Sequence, residues 1–145
     1  MFNKIDRLIT EFNWNLKYKD QLKEFKDIHK GKSCFIIGNG PSLNKMDLSK
    51  LTNHYTFGLN KIYMMFDKVD LNLSYLVSVQ QHVIEQSKEE FEKFTFPMFL
   101  SYRKSKVHNF KNKNIKYILT GNPKTTSFQT DITQKVLEGA TVTYV

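Results

Sequence analysis

The stretch FIIGNGPSL, residues 35–43, sets two glycines, a proline and a serine directly behind an apolar run. Gly38 and Gly40 admit positive φ and let a ligand approach the backbone with no Cβ in the way. Pro41 has a fixed φ and no amide hydrogen, which suits the first position of a helix. The Ser42 hydroxyl and the amides of Ser42 and Leu43 would then be donors at a helix start, where the dipole favours an anion. Asn39 can bond a phosphate oxygen or a sugar hydroxyl. The chemistry expected is phosphate binding. The same residues describe a plain strand-to-helix turn, and the motif is neither a P-loop nor GxGxxG.

Four histidines are present, and His82 stands just past the end of a predicted strand, on the side where such folds bind ligands. It is the candidate general base. His29 and His54 flank elements and read as surface residues, and His108 sits in a basic connection. Asp67 and Asp70 read as turn residues at the far end of the sheet. Glu85, Glu89, Glu90 and Glu92 read as a solvated helical face opposite Lys88 and Lys93. No His/Cys cluster proposes zinc, and no acidic pair proposes a site for Mg.

Elements must place these groups. Leu8, Phe12 and Leu16, then Leu22, Phe25 and Ile28, predict amphipathic helix through about Lys30, with Gly31 as the stop. Ser33–Ile37 predicts a buried strand, with Cys34 inside it as a small buried apolar residue. Met46, Leu48 and Leu51 suggest a short helix. Further strands are expected at His54–Leu59, Leu73–Val79, Phe96–Leu100 and Ile115–Leu119, with a helix over His82–Phe94 and a polar, basic surface connection at residues 101–114. Strands alternating with helices imply an α/β fold, mostly parallel, with helices on both faces. Residues 1–31 read as an N-terminal helical segment, and residues 32–145 as the sheet domain. The closing LEGATVTYV reads as a helix beginning at Gly139 or Ala140 and stopping after about two turns. The domain is therefore expected to be truncated at its C-terminus.

The chain has 145 residues with 22 Lys and Arg against 14 Asp and Glu, a formal charge of +8. That favours anionic partners: nucleotides, acidic glycans or an anionic lipid surface, with peripheral inner-membrane association among the readings. Arginine occurs only at Arg7 and Arg103, so base-reading forks are scarce and nucleic acid is disfavoured. One cysteine excludes an intrachain disulfide, and no apolar stretch reaches the roughly 18 residues of a membrane span. The expected compartment is cytoplasmic.

FIIGNGPSL, with FGLNKIY and YLVSVQQHVIEQ after it, resembles the MptE-like 6-hydroxymethylpterin diphosphokinase domain family, including its surface-polysaccharide and flagellin-glycosylation members. It is similar also to small bacterial sialyltransferases with a CMP-sugar donor. The resemblance covers Lys32 to about Gln86 well and the rest loosely. It implies a Rossmann-like fold whose first loop, Gly38, Asn39, Gly40, Pro41 and Ser42, holds nucleotide phosphates. It also implies that Asn60, after the second strand, faces the nucleotide; alone, Asn60 reads equally as a turn former. The families place Asn or Asp and then Pro after the third strand. This chain has Val79, Gln80 and Gln81, so Gln80 takes that place on a longer stem, with Ser78 and His82 as nearby alternatives. In the sialyltransferases a small-residue helix start lies against the nucleotide, which maps to Gly139, Ala140 and Thr141; a simple packing cap is the other reading. Their later catalytic His and strand have no counterpart here.

The implied function is a nucleotide-binding transferase domain. A glycosyltransferase-like protein of surface-polysaccharide biosynthesis, with a nucleotide-sugar donor and a glycan acceptor, comes first. An MptE-like diphosphokinase using ATP, with Mg as its accompanying ion, is the alternative. A degenerate, non-catalytic nucleotide-binding module is another.

Overall fold

A computed structural model describes residues 3–122, 124 and 126–138. The chain begins with helix α1 (Lys4–Lys17) and continues into a 3₁₀ helix at Lys19–Phe25. Five strands form one parallel sheet: β1 (Cys34–Ile37), β2 (Tyr55–Leu59), β3 (Tyr75–Ser78), β4 (Met98–Ser101) and β5 (Ile115–Ile118). All five expected strands are present, within two residues at each boundary. A two-stranded parallel pair, β6 (Thr120–Gly121) and β7 (Val136–Leu137), comes after them.

The sheet order is β1-β2-β3-β4-β5, with no reversal of direction. A crossover of constant hand that steps one strand each time keeps its connections on one face. The 3₁₀ helices at Pro41–Lys45, Leu48–Leu51 and Ile62–Met65, with helices α2 (Gln81–Gln86) and α3 (Lys88–Phe91), accordingly pack over one cluster. Its centre is Ile62, Leu76, Ile84, Phe91, Met98 and Leu100, all fully buried. Strand alternation sends Tyr75, Val77 and Phe99 to the opposite face, where Trp14 and Leu22 of the N-terminal segment meet them. A short helix α4 (Tyr102–Ser105) buries Tyr102 and Ser105, so the connection expected to be solvated is partly core.

Three expectations change. The strand β1 is an edge strand with Cys34, Phe35 and Ile36 exposed and only Ile37 buried. Its apolar run fits a strand covered on both faces, but with one neighbour it is left half open. The N-terminal helix stops at Lys17 rather than near Lys30, although Gly31 does adopt a positive φ of 76°. And the helix expected over His82–Phe94 is two short helices broken at Ser87, whose buried hydroxyl partners Tyr63 (2.8 Å).

Gly58 shows where the sheet needs a missing side chain. A Cβ there would stand 2.5 Å from Ile62 Cγ2 and 2.6 Å from Leu73 Cδ1, so glycine lets the Ile62–Met65 turn close onto β2. Among the described residues, no helix is long and apolar enough to cross a membrane.

Candidate functional site

Residues Gly38, Asn39 and Gly40 leave the carboxyl end of β1 and enter the 3₁₀ helix that Pro41 begins. Both glycines keep negative φ, Gly40 at −77° with ψ 159°, so neither is held by the left-handed conformation that the sequence suggested. Packing does not demand them either. A Cβ on Gly38 would meet nothing within 4 Å, and one on Gly40 only Ser42 Oγ at 3.8 Å. The space that these glycines leave is open, which is the space a bound group would occupy.

The segment after the loop is a five-residue 3₁₀ helix rather than an α-helix, so its dipole is small. Leu43 donates its amide to the Gly40 carbonyl at 3.2 Å, which removes it from the expected set of free donors. Gly38, Gly40 and Ser42 border a cavity of about 620 Å³ running along the outer edge of β1. Lys50 and His54 line it too, and the His54 ring lies against Phe35 at 5.1 Å between centroids. Lys50 has no signal of its own in the sequence, where it is one lysine among many.

Asn60 ends β2 with φ 52°, a left-handed backbone that Asn tolerates better than most residues. Its amide bonds the Val77 carbonyl (3.0 Å), and its side-chain oxygen accepts from Ser78 Oγ (3.2 Å). The fold thus joins Asn60 and Ser78 at the carboxyl ends of neighbouring strands, with Ser78 buried. One strand further, Ser101 Oγ pairs with Thr120 Oγ1 at 2.7 Å, both buried. Two hydroxyl–amide or hydroxyl–hydroxyl pairs therefore mark this end of the sheet. Ser101 and Thr120 are readable in the sequence only as hydroxyl residues closing apolar runs.

Gln80 precedes α2 as a residue whose side chain caps nothing. The His82 side chain, 91% exposed, has Nδ1 3.5 Å from Glu85 Oε2 one turn on. The Glu85 carboxyl lies below its ordinary pKa, chiefly through the Gln81 side-chain hydrogen bond and secondarily through His82. His82 is on the carboxyl side of the sheet, as expected, in open solvent. Gly139, Ala140 and Thr141 lie outside the described residues.

A larger cavity, about 750 Å³, opens at the amino ends of β1–β3. His29, expected at the surface, is half buried here: Nε2 is 2.6 Å from Tyr75 Oη, and the ring faces Tyr55 at 3.9 Å. This cavity is at the end of the sheet opposite the Gly-Asn-Gly-Pro loop. Among the described residues, no cluster of three or more His, Cys, Asp or Glu could hold a metal ion. No family model matches the chain, and no curated protein or solved structure matches it either.

Proposed function

We propose that this chain is the nucleotide-binding part of a transferase with a Rossmann-like fold. In this reading it is glycosyltransferase-like, takes a nucleotide-sugar donor and serves surface-polysaccharide assembly. The observation that carries it is the pair Gly38 and Gly40. They stand at the carboxyl edge of a parallel sheet, have ordinary φ, and leave their Cβ positions open beside a cavity. Neither backbone conformation nor packing accounts for glycine there, whereas close approach of a phosphate does.

The amides of Asn39, Gly40 and Ser42 and the Ser42 hydroxyl would bond the donor phosphates, with Lys50 nearby to offset their charge. Asn60, held by Ser78, would face the nucleoside, and Gln80 would lie at its rim. In glycosyl transfer the acceptor hydroxyl oxygen bonds to the anomeric carbon as the bond from that carbon to the phosphate oxygen breaks. The acceptor proton passes to His82, and the nucleotide leaves with the electron pair. ATP as donor, in an MptE-like diphosphokinase, uses the same loop.

A second reading, a nucleotide-binding module without turnover, is favoured by the solvent exposure of His82 and its pairing within its own turn. Calorimetry with CMP and with ATP tests the proposal. Binding of CMP supports the sugar-nucleotide reading and binding of ATP the diphosphokinase reading. No heat with either contradicts both.

A further inference from the structure

The helix α1 is seated on the sheet by the side that looks less apolar. Thr10 and Trp14 are buried, and Trp14 Nε1 donates to the Tyr117 carbonyl at 2.7 Å. Glu11 pairs with Arg103 (2.6 Å) and Lys135 (2.8 Å), and Lys106 Nζ donates to Thr10 Oγ1 (2.9 Å). The outward side is Ile5, Leu8, Ile9, Phe12 and Leu16, spaced to form a single stripe about 16 Å long. Their exposure runs from 53% at Ile9 to 69% at Leu16, so none is covered by the fold.

Charge says what this stripe suits. Both acids of α1 are engaged elsewhere: Asp6 accepts the Asn3 amide in the helix cap, and Glu11 faces inward in its two ion pairs. Among the described residues Lys4 and Lys17, at the two ends of the helix, make no ion pair. The chain as a whole carries +8. A second copy is a poorer occupant, because five such side chains offer on the order of 500 Å², short of the roughly 800 Å² per partner in a stable dimer. It would also bring like charge to like charge.

We propose that α1 lies flat on an anionic lipid surface, with Ile5, Leu8, Ile9, Phe12 and Leu16 in the headgroup boundary and Lys4 and Lys17 at the lipid phosphates. A short helix with one apolar stripe and basic ends has the form of an interfacial helix, and long lysine stems reach sideways to the headgroups. The body of the protein would then hang from the helix by Trp14 and the Glu11 pairs. This inference is independent of what the glycine loop binds.

Sedimentation of the whole chain with vesicles tests it, comparing phosphatidylcholine alone with phosphatidylcholine containing phosphatidylglycerol. Binding is expected to the anionic vesicles, at least about tenfold tighter than to the neutral ones, and weaker with added salt. The double variant Phe12→Asp/Leu16→Asp should lose at least about tenfold in affinity while its thermal midpoint is unchanged, since both side chains are exposed. Lys4→Gln/Lys17→Gln should weaken binding to anionic vesicles alone. Absence of vesicle binding, or binding indifferent to the stripe variant, overturns the proposal. So does a concentration-dependent dimer, without vesicle binding, that the stripe variant dissolves.

Discussion

Three glycines near the sheet's carboxyl edge look alike in sequence and differ in what they do. Gly58 is required by packing, because any Cβ there collides with Ile62 and Leu73. Gly58→Ala is therefore expected to lower stability by about 1–3 kcal/mol in chemical denaturation, as overpacking does. Gly38 and Gly40 have open surroundings, so substitution there should leave stability nearly unchanged. The loop and its residue types are legible in the sequence, yet the reason for its glycines is not positive φ. The positive φ falls instead on Asn60, and on Gly31 at the end of the N-terminal segment. Backbone angles of a GNG triplet depend on the element it leads into, and here that is a 3₁₀ turn in place of the expected α-helix. Cys34 departs from expectation for a related reason: a residue type has a burial preference, but its neighbours are set by sheet order.

At the scale of the element, α1 shows what periodicity can and cannot deliver. The spacing of Leu8, Phe12 and Leu16 identifies a helix correctly, and the apolar stripe it traces faces outward. Periodicity gives an axis, and a single well-anchored aromatic can outweigh five aliphatic and aromatic positions on the other side. The helix start has its own local signal, the reciprocal capping box of Asn3 and Asp6. Trp14 carries the docking of this element, with a fully buried indole and a 2.7 Å hydrogen bond reaching β5. Trp14→Ala is expected to cost about 3–5 kcal/mol in denaturant unfolding. Phe12→Ala, at an exposed position on the same helix, should cost little.

Across the whole molecule, alternation of strand and helix reveals a parallel sheet, and strand boundaries come within two residues. The order of the strands is not legible, because order is decided by which edges pair rather than by local pattern. That order puts β1 at the edge and leaves the other face to the N-terminal segment, joined by Tyr102 of α4 and Val136 of β7. Tyr18, Tyr102 and Tyr117 gather on this face, with the Tyr117 ring 4.8 Å from Tyr18 and 5.7 Å from Tyr102. Burial raises the Tyr117 pKa to about 12, and burial also raises those of Tyr75 and Tyr102. Below about pH 10 both folded and unfolded chains hold the Tyr117 proton, so its contribution is complete. Between about pH 10 and about pH 12 the unfolded chain loses that proton first, and stability should fall, by less than about 2 kcal/mol because the partly exposed ring is screened by solvent. Denaturation across that window checks this, and Tyr117→Phe should shrink the fall.

Everything proposed for the carboxyl end of the sheet depends on the Gly38–Ser42 loop holding the phosphates of a nucleotide. Calorimetric titration of CMP and ATP into the native chain and into Gly40→Val tests it most directly. A β-branched side chain at position 40 enters the open space beside the loop, where its Cβ meets only Ser42 Oγ at 3.8 Å. One of the two nucleotides should bind the native chain, and neither should bind Gly40→Val, whose thermal midpoint stays unchanged. No binding by the native chain, or undiminished affinity in the folded variant, would contradict the account.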